Sequence, residues 1–129
     1  RDWEMWVLEH QAQTAAFEAA RIGSSAAQVD AAARRVIEAA GLGPGYAVQG
    51  LPHRTGHGLG LDVHEPPYLV QGNDTPLAKG MCFSNEPMIC LYGEFGVRLE
   101  DHIYMTREGP RWFTEPCVSI DDPFGASAG

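Results

Sequence analysis

The sequence predicts an α+β fold in which two helices pack on one face of a mainly antiparallel sheet. Two observations carry this. Apolar residues recur at helical spacing as far as Ala40. Beyond Gly41 the apolar runs become short, in the manner of strands, and Gly, Pro, Asn and Asp punctuate them.

The first helix is expected over residues 2–21, with Trp3, Trp6, Val7, His10, Thr14 and Phe17 as its apolar side and Gly23-Ser24-Ser25 as its end. Ser25-x-x-Gln28 then has the form of a capping box, in which each side chain satisfies the other residue's backbone N–H. Val29, Ala32, Ala33, Val36, Ile37 and Ala40 form the stripe of a second helix, and Gly41 stands where a C-terminal glycine cap belongs. Residues 41–50 and 66–80 read as loops. Short β-type runs lie near residues 54–64, 81–91, 97–105 and 117–120. Trp3, Trp6 and Phe17 are expected in the core. A short Gly/Ala/Ser tail follows Phe124, and there is no internal repeat.

With 129 residues the chain holds one domain at most and is short for a complete hydrolase. Its formal charge of −8 argues against nucleic acid or anionic membranes as partners. No apolar run approaches membrane-spanning length, and no signal-peptide pattern is present. Cys82, Cys90 and Cys117 are odd in number and lack a Cys-x-x-Cys pair. We therefore expect buried free thiols in a reducing, cytoplasmic compartment rather than disulfides or a thiolate zinc site. The chain opens on Arg1 directly before a helical pattern, which reads as a fragment or processed product.

The chemistry concentrates in His53-Arg-Thr-Gly-His57-Gly-Leu-Gly-Leu-Asp-Val-His64-Glu-Pro-Pro. Imidazole is the commonest protein metal ligand, and the glycines beside His57 let a ligand approach closely. A zincin helix is excluded: His64-Glu65 has no second histidine one turn on, and Pro66 and Pro67 would break the helix. Glu86 lies in the otherwise apolar run Phe83-Ser-Asn-Glu86-Pro87-Met-Ile-Cys90. A carboxylate there needs an arginine, a metal or exposure, and Pro87 marks a strand interruption. Read as one strand, residues 97–105 place Arg98, Glu100, His102 and Tyr104 on one face, either solvated or turned into a cleft. Asp101 breaks the pattern on the apolar face.

Taken together, His57, Glu86 and Glu100 offer one imidazole and two carboxylates. That set suits Mn²⁺, Co²⁺ or Fe²⁺, and Zn²⁺ less distinctively. His57 and His64 fall on opposite faces of an ideal strand, so unless the chain bends at Gly58 or Gly60 they cannot share an ion. His57 is accordingly assigned to metal and His64 to substrate. His53 shares the parity of His57, and so lines the same cleft or the surface. Ser84 and Ser119 lack the histidine-and-acid arrangement of a serine nucleophile.

The ordered set Thr-Gly-His57-Gly-Leu-Gly-Leu-Asp-Val-His64-Glu-Pro-Pro, Asn85-Glu86-Pro87 and Gly96-Val-Arg98-Leu-Glu100-Asp101 resembles the pita-bread metallopeptidases. These are the Xaa-Pro dipeptidases (prolidases), the Xaa-Pro aminopeptidases and the methionine aminopeptidases. The likeness runs from about residue 3 to 120. It implies the creatinase/aminopeptidase-like pita-bread fold, with residues 1–129 as the C-terminal part of the catalytic domain and 121–129 as a tail. It also implies a dinuclear metal site, in which His57, Glu86 and Glu100 match three of five ligands, with Glu100 bridging and Glu86 also moving protons. His64 matches a histidine that contacts the substrate and stabilises the tetrahedral intermediate. His53 and Arg98 match substrate-binding positions of proline-specific members. The family's other two ligands are aspartates on preceding strands, and Asp62, Asp74 and Asp101 do not fit their motif.

The activity implied is metal-dependent hydrolysis of Xaa-Pro bonds, with two divalent ions roughly 3.5–4 Å apart polarising the scissile carbonyl. Manganese is the first choice of metal, with Co, Zn or Fe as alternatives. The implied partners are an Xaa-Pro dipeptide or short peptide, the missing N-terminal part of the domain, and a second copy in a homodimer. The 129 residues alone would be inactive. His53-x-x-x-His57 and Arg98-x-Glu100-Asp101-His102 look closer to prolidases and Xaa-Pro aminopeptidases than to methionine aminopeptidases. A catalytically inactive peptide-binding module is the alternative of another class, and retention of all three ligands argues against it.

Overall fold

The computed structural model describes residues 2–42, 54–60, 64–91 and 94–122; His53 and Asp62 lie outside the described residues. The elements are α1 (Asp2–Ala19), α2 (Ala26–Ala39), β1 (Gly56–Gly58), β2 (Glu65–Leu69), β3 (Cys82–Asn85), β4 (Met88–Leu91), β5 (Phe95–Arg98), β6 (Asp101–Thr106) and β7 (Gly109–Trp112). A five-stranded sheet runs in the order β2-β1-β3-β6-β7, and β4 pairs with β5 in a two-stranded sheet. All the strand pairs are antiparallel. Among the described residues no helix is long and apolar enough to cross a membrane.

Helix α2 forms as its local chemistry dictates. Gln28 N donates to Ser25 Oγ (3.2 Å) and Ser25 N donates to Gln28 Oε1 (2.7 Å), closing the capping box. Gly41 follows the last turn at φ 90°, a left-handed conformation that glycine adopts at little cost. The buried face carries Ala26, Val29, Ala33 and Ile37, but also Asp30 and Arg34. Those two form an i,i+4 ion pair, with Arg34 Nε 3.2 Å from Asp30 Oδ2.

Helix α1 corrects the expected stripe. Trp3 is 60% exposed, and Val7, His10, Thr14 and Phe17 are only half-buried. Trp6 is buried as expected, and the rest of the buried face is Leu8, Glu9, Ala12, Gln13, Ala16 and Ala20. Its alanines permit close packing on α2, the partner with which α1 makes its most extensive contact. Glu9 and Gln13 are tolerated inside because each finds a polar partner across the fold.

Four strand expectations also change. Residues 66–80 are not all loop, because β2 runs through Pro66-Pro67. It is an edge strand, and the register steps from His57↔Tyr68 to Gly58↔Glu65, so neither proline has to donate to the ladder. Strand β7 was not among the expected runs; it is the opposite edge of the sheet, where Pro110 need not donate to a further strand. Residues 97–105 are two strands in two sheets; Asp101 starts β6 on the same face as Ile103 and Met105, where Gln13 Nε2 donates to its Oδ2. Residues 117–120 form no strand; Ser119 organises a turn there, accepting from Asp121 N and Asp122 N.

The core joins Leu69, Phe83, Ile103 and Met105 of the larger sheet with Ile89 and Leu91 of the smaller, under Val29, Ala33 and Ile37 of α2. Phe17 flanks it, stacked on Trp112 at 4.4 Å. The three cysteines are free, but half-buried rather than fully buried.

Candidate metal centre

Two strands leave the five-stranded sheet at the same level and enter the smaller one. Strand β3 passes to β4 through Glu86-Pro87, and β5 passes to β6 through Leu99-Glu100. Since β3 pairs β6 and β4 pairs β5, the two links lie side by side, and each carries one of the carboxylates. The interruption that Pro87 announced is the first of these links.

His57 comes from the neighbouring strand β1. A Cβ on Gly56 would collide with the carbonyl of Ser84, and one on Gly58 with the carbonyls of Glu65 and Pro66. Only glycine lets β1 run this close to its neighbours. His57 N donates to Ser84 Oγ at 3.0 Å, and the residue is 3% exposed. On the other link, Glu86 N donates to Thr55 O at 2.7 Å.

One ligand atom each from His57, Glu86 and Glu100 lies within 4.8 Å of the others. The tautomer of His57 follows from its neighbour. Nδ1 sits 3.0 Å from the carbonyl oxygen of Gly58, which can only accept, so Nδ1 carries a proton and, in the neutral ring, Nε2 presents a lone pair. That lone pair faces Glu86 Oε2 at 3.2 Å, and Oε2 is buried without a hydrogen-bond donor. An acceptor nitrogen turned toward an acceptor oxygen is a mismatch that a divalent cation resolves, with the far nitrogen oriented by a carbonyl as in metal-bound histidines.

The two carboxylates are unequal. Burial would raise the pKa of Glu86, but the hydrogen bond shared with Glu100, that from Ser84, and the nearby His57 and Arg98 together hold it below the ordinary value. Glu100 is pushed up by that same shared hydrogen bond, then by burial and the Glu86 charge, with His102 opposing. Without a cation Glu100 is therefore the more readily protonated of the two.

The other expected residues surround these three. Arg98 Nη1 is 3.9 Å from Glu86 Oε1, with 41% of its side chain exposed. The rings of His57 and His64 are 4.3 Å apart at 64°, which corrects the opposite-face argument: β1 and β2 are antiparallel neighbours, not one strand. His64 is nevertheless absent from the ligand cluster found among the described residues. A cavity of about 390 Å³ opens beside Glu100, walled by Trp6, Arg98, Thr114, Cys117 and Ile120. Burial, and then Asp101, raise the Cys117 thiol, so it stays protonated and is no thiolate nucleophile.

His102 was expected on the face of Glu100, whereas Asp30 and Thr55 escaped the sequence reading. His102 Nε2 lies 3.3 Å from Glu100 Oε2. Asp30 Oδ1 accepts from Thr55 N (3.1 Å) and Thr55 Oγ1 (2.8 Å), fixing the segment that leads into His57. The available signal was the occurrence of polar pairs at i,i+4 on helix faces otherwise lined by alanine: Asp30 with Arg34, and Glu9 with Gln13.

The geometry agrees with the comparisons. The chain is 54% identical over 106 residues to the "Probable dipeptidase PepE" of Mycobacterium tuberculosis, covering 82% of this chain and 27% of that protein. It is 46% identical over 111 residues to the Xaa-Pro dipeptidase of Lactobacillus helveticus, covering 86% and 29%. The crystal structure of dipeptidase PepE from Mycobacterium ulcerans superposes with a TM-score of 0.82 at 44% identity, over 92% of this chain and 31% of that one. The chain thus spans less than a third of the length of these relatives, and its fold is the pita-bread fold in part. Residues 4–107 match the model of Metallopeptidase family M24. With a family model spanning most of its length and three metal-capable donors converging where two strands change sheets, the chain belongs to metallopeptidase family M24.

Proposed function

We propose that the protein carrying this chain hydrolyses Xaa-Pro dipeptides at a two-metal centre, to which the chain contributes His57, Glu86 and Glu100. The observation that carries the reading is the convergence of ligand atoms from His57, Glu86 and Glu100 within 4.8 Å of one another, with His57 Nε2 3.2 Å from Glu86 Oε2. Divalent ions held there, Mn²⁺ first and Co²⁺, Zn²⁺ or Fe²⁺ as alternatives, supply the positive charge that polarises a peptide carbonyl and acidifies an attacking water. Three donors are too few for two ions, so the remaining ligands belong to sequence outside these 129 residues. The chain by itself is the C-terminal part of the catalytic domain, and is inactive.

The chain's own residues have separate tasks. Glu86, the carboxylate with the lower pKa, stays ionised near neutral pH and is placed to take and return a proton. Glu100, at the strand link, would supply the second carboxylate that holds the ions. His64, exposed beside His57, donates to the carbonyl oxygen as charge develops on it. Arg98 and His53 hold the substrate, Arg98 from the rim of the cavity beside Glu100.

The test uses the full-length protein. Metal analysis should find divalent metal, Xaa-Pro dipeptides should be cleaved in preference to Xaa-Pro-Xaa tripeptides, and His57→Ala should lose both metal and activity. Absence of bound divalent metal overturns the enzyme reading. Preference for the tripeptide moves it to an aminopeptidase, and hydrolysis by the 129-residue chain alone refutes its dependence on outside ligands.

A further inference from the structure

We propose that Glu9 and Gln13, one turn apart on α1, form a positioning clamp that sets the separation of Glu86 and Glu100 in the metal centre. The inference rests on the metal-site reading above, and adds a part of the fold distant in sequence. Both carboxylates sit in links between sheets, so no ladder hydrogen bond fixes them. Helix α1 supplies the missing constraint on both sides. Leu99 N, immediately before Glu100, donates to Glu9 Oε2 at 2.9 Å. Gln13 Nε2 donates to Asp101 Oδ2, immediately after Glu100, at 2.9 Å. Asn85, immediately before Glu86, donates through Nδ2 to the Gln13 carbonyl at 2.8 Å.

Burial makes the clamp stiff. Glu9 is 0% exposed, Gln13 1% and Asn85 0%, so water does not compete for these bonds. A buried acid whose second oxygen, Oε1, has no donor is a costly residue on a helix otherwise packed by alanine and leucine. Packing alone would favour an apolar side chain at that position. What Glu9 provides instead is an acceptor for an amide that the sheets leave over, at the residue adjoining Glu100. Partners that orient ligands from outside the immediate coordination shell typically change metal affinity by about 10–100-fold when removed.

The experiment measures Co²⁺ binding to the full-length protein by titration and by its visible absorption, with Tm recorded for every variant. Glu9→Leu and Gln13→Met remove the polar ends at similar volume, Glu9→Gln keeps an oxygen for Leu99 N, and Ala16→Gly loosens the same helix away from the clamp. We expect Glu9→Leu and Gln13→Met to raise the Co²⁺ dissociation constant by about tenfold or more and to alter the spectrum. Glu9→Gln should stay within about threefold of the unaltered protein, and Ala16→Gly should lower Tm with the spectrum intact. If Gln13→Met fails to fold, Asn85→Ala, which releases the helix from outside, carries the same expectation. Unchanged affinity and spectrum in the clamp variants, or losses no larger than in Ala16→Gly, overturn the clamp alone. Failure of the unaltered protein to bind Co²⁺ overturns the metal centre and the clamp with it.

Discussion

Replacing Glu100 by Gln should change stability in opposite directions with and without metal. Glu86 and Glu100 bring carboxylate oxygens within 4.8 Å. Two unit charges at that separation repel by about 0.9 kcal/mol in water and about 3.5 kcal/mol at an effective dielectric of 20. Glu100 is 42% exposed and Glu86 only 14%, so screening holds the repulsion toward the lower figure, about 1 kcal/mol. The sign follows from linkage. A folded-state pKa raised above the unfolded one, as at Glu100, gives stability that is present below the unfolded pKa and lost as pH rises through the folded pKa. In metal-stripped protein at pH 8, Glu100→Gln should therefore raise stability by about 1 kcal/mol, and near pH 4, where Glu100 already carries its proton, the gain should vanish. With metal present the order reverses, because the unaltered protein gains about 2.7 kcal/mol at a hundredfold excess over Kd while the variant binds weakly. The assay is calorimetric Tm at both pH values, with chelator or with Mn²⁺. If Glu100→Gln lowers Tm in chelator at pH 8, Glu100 is a structural hydrogen-bonding group and the repulsive-pair argument is wrong.

Two further changes probe the scaffold of the site. Gly56→Ala drives a methyl group into the Ser84 carbonyl and should cost about 1–3 kcal/mol or more, with loss of metal binding, read by denaturant melts and metal titration; unchanged stability would mean that β1 can shift without cost. Asp30→Ala removes the carboxylate paired with Arg34 and the acceptor of the Thr55 hydroxyl in a buried setting. It should cost about 3–5 kcal/mol in the same melts, and a loss under about 1 kcal/mol would show that the network does not hold Thr55.

Legibility tracked how local the determining physics was. The capping box at Ser25 and Gln28 and the glycine stop at Gly41 depend on neighbours within one turn, and both stand as read. The break at Glu86-Pro87 is equally local. Pro66 and Pro67 misled at β2 because their cost depends on whether the strand lies at an edge, a property of the whole sheet. Alternation through residues 97–105 looked like a single strand because pairing in two sheets preserves the period while the link at Leu99-Glu100 interrupts the ladder. The cluster of His57, Glu86 and Glu100, which the structure brings together, was readable because its residue types are distinctive. Its supports were not, since Glu9, Gln13 and Asp30 look like ordinary surface residues until the fold buries them.

The placement of the centre explains why those supports are polar. A carboxylate within a regular strand has its backbone fixed by the ladder, and its direction alternates with the pleat. At a link between sheets both constraints lapse, so Glu86 and Glu100 can turn toward one point from adjacent strands. The same release leaves backbone groups without ladder partners at the level of the ligands. Thr55 O takes up the amide of Glu86 and Glu9 takes up that of Leu99. Asp30 in turn fixes Thr55, and Gln13 fixes Asn85 and Asp101. Each helix thus lends one buried acid to the junction, α1 on the carboxylate links and α2 on the approach to His57. The buried polar residues of α1 and α2 are therefore the structural counterpart of the proposed metal centre, placed where two strands change sheets.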